Sequence, residues 1–187
     1  FMDFLNSDDV NPAIQISDET GFTGILEELG KKGQYDLIAD LANRLPGHLY
    51  SWRAKMAGIA VRYAVLSDEV ASIIKFDGKE EHYFNAIQHA YAAGAYAVRE
   101  KNRSEKAKDL PSLADMYFEE SISESGKIPA ISDRDEAYKL LIEELIKADR
   151  IELAWSVFQL LSVSSRLTLS DHVHAVFSKT TVPSAER

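Results

Sequence analysis

His82 and His89 stand seven positions apart, so a helix would carry both on one face, with Glu80 and Glu81 just ahead of them. Imidazole and carboxylate together are ligands for a divalent metal, but helical metal sites pair them at i, i+3 or i, i+4. Neither Glu-x-x-His nor His-x-x-x-His occurs anywhere in the chain. The pair is therefore expected to hold no metal, and His89, inside a mostly apolar helix, to find a hydrogen-bond partner instead. His172 and His174, two apart, point to different sides of a helix and form no site together.

Carboxylates offer the other route to chemistry. Asp115/Glu119, Glu120/Glu124 and Glu136/Glu143 are spaced to share a helix face, which suits general acid–base work or magnesium. With 30 acidic residues in the chain, such pairs also arise by chance. The facing Glu-x-x-Glu and Glu-x-x-Asp helices that all-α nucleotide pyrophosphohydrolases need cannot be built, because no Glu-x-x-Glu is present. Gly-x-Ser-x-Gly, Gly-x-Gly-x-x-Gly and Walker loops are missing too, which removes a serine elbow and a phosphate cradle. The chain has no Cys, so thiol catalysis, disulfides and cysteine-ligated zinc are excluded. No catalytic residue, cofactor or metal ligand is assigned.

The elements that position these side chains read as helices. Residues 80–98 form two stripes, one of Tyr83, Ile87, Tyr91 and Val98, the other of Ala86, Ala90, Ala93, Gly94 and Ala97. A helix apolar nearly all round is a buried one, and its small residues let a neighbouring backbone come close. Phe22, Ile25, Leu26 and Leu29 mark a short helix ended by Gly30 and Gly33. A second runs from Tyr35 to Leu45, before Pro46-Gly47. From Tyr50 a long amphipathic helix carries Trp52, Met56, Ile59 and Tyr63, with Arg53, Lys55 and Arg62 on its wetter sides, and bends near Ser67 to continue toward Phe76. Further helices are expected from Pro111 to Ser125, from Ser132 as N-cap to Ala148, from Ile151 to Val163, and from about Ser170 to Ser178. The expected fold is all-α, a compact array of about seven to eight helices built from antiparallel αα-hairpins around the Ala/Tyr-rich helix, in one domain over 17–178. Residues 1–16 read as a flexible arm and 179–187 as a flexible tail, and Phe1, ahead of Met2, is expected to be vector-derived.

One stretch repeats. Residues 25–45 set over residues 141–161 give six identities in 21 positions: Glu27/Glu143, Glu28/Glu144, Leu29/Leu145, Lys31/Lys147, Leu37/Leu153 and Leu45/Leu161. Both units read as helix, short turn, helix, each with an apolar face that needs a neighbour. The offset of 116 residues rules out a tandem array of short repeats.

Charge narrows the partners. The formal net charge of −9 divides into −6 over residues 1–50, +2 over 51–110 and −5 over 111–187. Nucleic-acid binding needs a net basic surface, so nucleic acid is not an expected partner. No apolar run is long enough to span a bilayer and the FMDFLNSDDV start lacks a basic leader, so a cytoplasmic protein without a membrane partner is expected. What remains is surface recognition: a protein–protein interaction module, adaptor or regulatory factor that binds another protein or itself as a homodimer. Trp155, Val157, Phe158, Leu161 and Phe177 are its expected contact residues, because Trp155, Val157 and Phe158 cannot all face one side of a helix and the short final helix with Phe177 covers only part of the band. The alternatives are a small all-α hydrolase or nuclease using acidic residues and a divalent metal, and an acidic inhibitor or nucleic-acid mimic.

Overall fold

Alternating small and aromatic side chains allow a helix to be packed on nearly every side, and Glu81–Lys101 shows the result: 13 of its 21 residues are buried. The computed structural model describes residues 19–76, 78–102 and 112–169. The helices, in chain order, are α1 (Glu19–Lys31), α2 (Tyr35–Arg44), a 3-10 turn (Gly47–Leu49), α3 (Tyr50–Leu66), α4 (Glu81–Lys101), α5 (Leu113–Lys127), α6 (Ile131–Lys147), α7 (Ile151–Phe158) and α8, residues 163–169. The fold is all-α, with no strand among the described residues, and none of these helices is long and apolar enough to cross a membrane. The arm at 1–16, the tail at 179–187 and the helix expected from Ser170 lie outside the described residues.

Packing divides α4 between two clusters. Tyr83, Phe84, Ile87 and Tyr91 join Leu26 of α1, Ile38 of α2 and Met56 and Ile59 of α3. Ala90, Ala93, Tyr96 and Ala97 join Phe118 of α5, Leu141 and Leu145 of α6 and Val157 of α7. Glycines set the closest approaches. A Cβ on Gly58 would overlap the Tyr91 ring, and one on Gly30 would overlap Tyr63.

The repeated stretch has the same turn geometry in both copies. Gly33 and Asp149, 116 positions apart, sit at φ 73° and 62°. The amide of Gln34 donates to Leu29 O at 3.0 Å and that of Arg150 to Leu145 O at 2.9 Å, the six-to-one bond of a left-handed helix cap. Aspartate is one of the few residues besides glycine that tolerates this conformation. The buried positions correspond as well: Leu26 with Ile142, Ile38 with Ala154, Leu41 with Val157 and Ala42 with Phe158.

Three expected boundaries differ. The third helix does not bend and run on; it stops at Leu66, where Asp68 turns left-handed at φ 69° and Glu69 N bonds Ala64 O at 3.0 Å. Residues 69–76 are then non-helical and lie along α4 as a strap. Fully buried Gln88 receives Ile74 N at 2.7 Å and donates to Ile74 O at 2.9 Å, while Tyr96 Oη accepts from Ala71 N at 3.1 Å. Helix α6 starts from Ala130 rather than Ser132, whose hydroxyl turns to Asp133. The helix expected over 151–163 breaks after Phe158, and Ser162 caps α8 by accepting from Ser165 N at 3.3 Å.

Gln88 replaces both backbone partners of Ile74, so Gln88→Leu leaves a buried donor and acceptor unmet. It is expected to cost about 1–3 kcal/mol in denaturant unfolding and to expose the Ile74 amide to exchange, whereas unchanged stability would mean the strap is not held there.

Candidate functional site

The longest-reaching polar network begins at an arginine inside an apolar helix. Arg62 of α3 sits among Val61, Tyr63 and Ala64, all buried, and its side chain is only 17% exposed. It lies over the Tyr91 ring at 4.4 Å, with one nitrogen 2.7 Å from Glu144 of α6 and another 3.4 Å from Glu27 of α1. Burial works against its charge, but Glu144 above all holds the guanidinium protonated, with its pKa raised. Glu27 also accepts the Tyr63 hydroxyl, and Lys147 reaches Glu144 at 2.8 Å. Gly94 makes the room: a Cβ there would collide with the Glu144 carboxylate. Burial pushes the Tyr91 hydroxyl up to about 12, so it stays protonated beside this network.

These groups line a half-open cleft of about 390 Å³ with Leu66, Ala95, Ala97 and Val98, and Lys101 and Asn102 at its edge. Glu27 and Glu144 are both engaged by Arg62, so the cleft presents no idle carboxylate for acid–base work. The cleft had one sequence signal: a lone arginine in the buried run AGIAVRYAV, facing a glycine in the other buried helix.

The expected contact residues separate. Val157, Phe158 and Leu161 are buried, because α7 packs on α6 and turns them toward Leu141 and Leu145. They do not form an exposed band. Trp155 is 44% exposed and stacks on Phe158 with ring centroids 5.5 Å apart; Phe177 lies outside the described residues. Further along the chain Leu160, Val163 and Leu167 are exposed as well, the last two one helical turn apart on α8. The anchor for α8 is Asp135, a buried carboxylate of α6 that accepts Ser162 N at 3.1 Å and the Ser162 hydroxyl. Burial raises its pKa, but these hydrogen bonds outweigh that and hold it below the ordinary aspartate value.

The carboxylates paired in sequence do not converge. Asp115 bonds Arg150 at 2.9 Å, and Glu136 bonds Lys55 at 3.2 Å, while Glu143 is exposed. Glu124 is held by His82 at 2.8 Å and by Lys127 at 2.6 Å. Among the described residues no three His, Asp or Glu side chains gather to hold a metal ion. His172 and His174 lie outside them. His89 differs from expectation: its Nδ1 is buried with no hydrogen-bond partner among the described residues, next to Tyr117 at 5.7 Å between ring centroids. Comparison with protein-family models, curated proteins and solved structures finds no match for the chain.

Burial lowers the His89 pKa against the opposing pull of Glu120 and Glu124. The unfolded chain takes up this proton near 6.5, the folded one only at lower pH, so the stability His89 contributes is present above 6.5 and is lost as pH falls below it. His89→Leu is expected to flatten the fall in stability between about pH 7.5 and about pH 5. Identical profiles for parent and variant in urea titrations would remove this assignment.

Proposed function

We propose that this chain is a non-enzymatic protein–protein interaction module, an adaptor or regulatory factor of the cytoplasm that docks through the face formed by α7 and α8. The observation that carries the reading is a concentration of exposed apolar surface: of ten exposed large apolar side chains among the described residues, Trp155, Leu160, Val163 and Leu167 fall within 13 consecutive positions. Scattered single exposures need no explanation, whereas a contiguous apolar patch marks a contact surface. Arg166 donates to Gln159 at 3.4 Å, which ties α8 to the end of α7. Further support comes from the polar side, where the ionisable groups best placed for chemistry, Glu27, Glu124 and Glu144, are each held by a cation.

A second copy is the simplest occupant, because one apolar face can pair with itself about a two-fold axis. Light scattering across a concentration series is expected to show a parent dimer that Val163→Glu combined with Leu167→Glu converts to monomer. Both positions are mostly exposed, so the variant should keep the parent's melting temperature. A parent that stays monomeric throughout, or a dimer indifferent to both changes, would sink self-association through this face.

A further inference from the structure

Side chains hold the strap at 69–76 against α4, and they leave its outer edge unpaired. Gln88 accepts from Ile74 N at 2.7 Å and donates to Ile74 O at 2.9 Å, the two bonds that a residue of an antiparallel strand exchanges with the one opposite. Ile74 is therefore extended, and the backbone groups of Ile73 and Lys75 point away from α4. Neither residue makes a backbone hydrogen bond among the described residues. Below them Phe76 stacks on Phe84 at 4.0 Å, which fixes the inner side of the strap and not the outer one. Ser72 and Lys75 are exposed, and Val70, at 80%, is the most exposed large apolar side chain among the described residues.

Sequence favours pairing at the same edge. Residues 70–76, VASIIKF, hold three β-branched side chains, no Pro or Gly and one charge, the composition of a segment that associates through its backbone. An uncovered edge of this kind is a template for another strand. Charge selects the strand. Asp68 and Glu69 stand at one end of the strap and Lys75 and Lys79 at the other, and neither lysine has an ion pair among the described residues. Two straps aligned antiparallel set each acidic end against the other's basic end, whereas parallel alignment sets like against like. We propose that the outer edge of the strap pairs with the strap of a second copy, antiparallel about a two-fold axis through Ile74. Ile73 and Lys75 of one copy then exchange backbone bonds with Lys75 and Ile73 of the other. This contact shares no residue with the α7–α8 face.

The test is light scattering and infrared spectroscopy on the full chain carrying Val163→Glu and Leu167→Glu, so that the strap is read without the α7–α8 face. Association is expected to grow with concentration, together with an antiparallel β band that the separate all-α chains lack. Lys75→Pro removes only an outward N–H and suits an extended Ile74, so it should keep the melting temperature and weaken association by about tenfold or more. Lys75→Ala keeps the N–H and should associate as the parent does. A chain that stays monomeric in this background, a dimer without the β band, or equal association by Lys75→Pro overturns the proposal. Loss of association in Lys75→Ala would assign the contact to the side chain, and a lowered melting temperature in Lys75→Pro would mean that Ile74 is not extended; either result also overturns it.

Discussion

A largely buried guanidinium–carboxylate pair ties α3 to α6, across two apolar clusters that α4 already joins. Arg62 comes from α3, most of whose buried residues pack with α1 and α2, and Glu144 from α6, which packs mainly with α5 and α7. Glu144 keeps Lys147 and Arg62 keeps Glu27 when the other is removed, but either change strips a largely buried charge of its shortest ion-pair contact, which costs more than losing an exposed pair. The surroundings are fitted to this contact: Gly94 lets Glu144 rest against α4, Tyr91 lies under the guanidinium, and Glu27 brings α1 to the same point. The pair adds a directional contact to two apolar clusters whose side chains are already fitted closely, as at Gly58 against Tyr91.

The same principle operates along α4. A helix buried on most of its surface can carry polar residues only where they are met, and Gln88, Tyr96 and Arg99 are met by the strap at 69–76 and the end of α3. Arg99 donates to Val65 O at 3.1 Å and pairs with Asp68 at 2.7 Å, so the left-handed residue that ends α3 is also the one its neighbour grips. His89 is the exception, and its buried, unmet nitrogen gives the helix a pH-dependent liability.

Periodicity made the helices legible, because apolar stripes at 3.6-residue spacing depend only on which faces must be dry. The repeat was legible too, and its left-handed cap at Gly33 was readable from the glycine. The turn at Asp149 was legible as well, though not its left-handed conformation, and the stop at Asp68 was hidden because aspartate enters that conformation less readily than glycine. The strap was missed for a related reason: its backbone is met by side chains distant in sequence, Gln88 at Ile74 and Tyr96 at Ala71, which no local pattern shows. At the recognition face, sequence indicated an excess of apolar residues over 155–161 but not their partition. That depends on how α7 packs on α6, which buries Val157, Phe158 and Leu161, while Asp135 holds Ser162 at the start of α8 and Leu160 stays exposed.

The most direct measurement is a double-mutant cycle on Arg62 and Glu144, using Arg62→Met, Glu144→Gln and the pair, with unfolding free energies from urea titration. A buried, mutually dependent pair predicts a loss of about 3–5 kcal/mol for each single change and a double variant no less stable than the worse single one. Single losses under about 1 kcal/mol that simply add in the double variant would contradict the account, because they would show that the two halves are held by apolar contact alone.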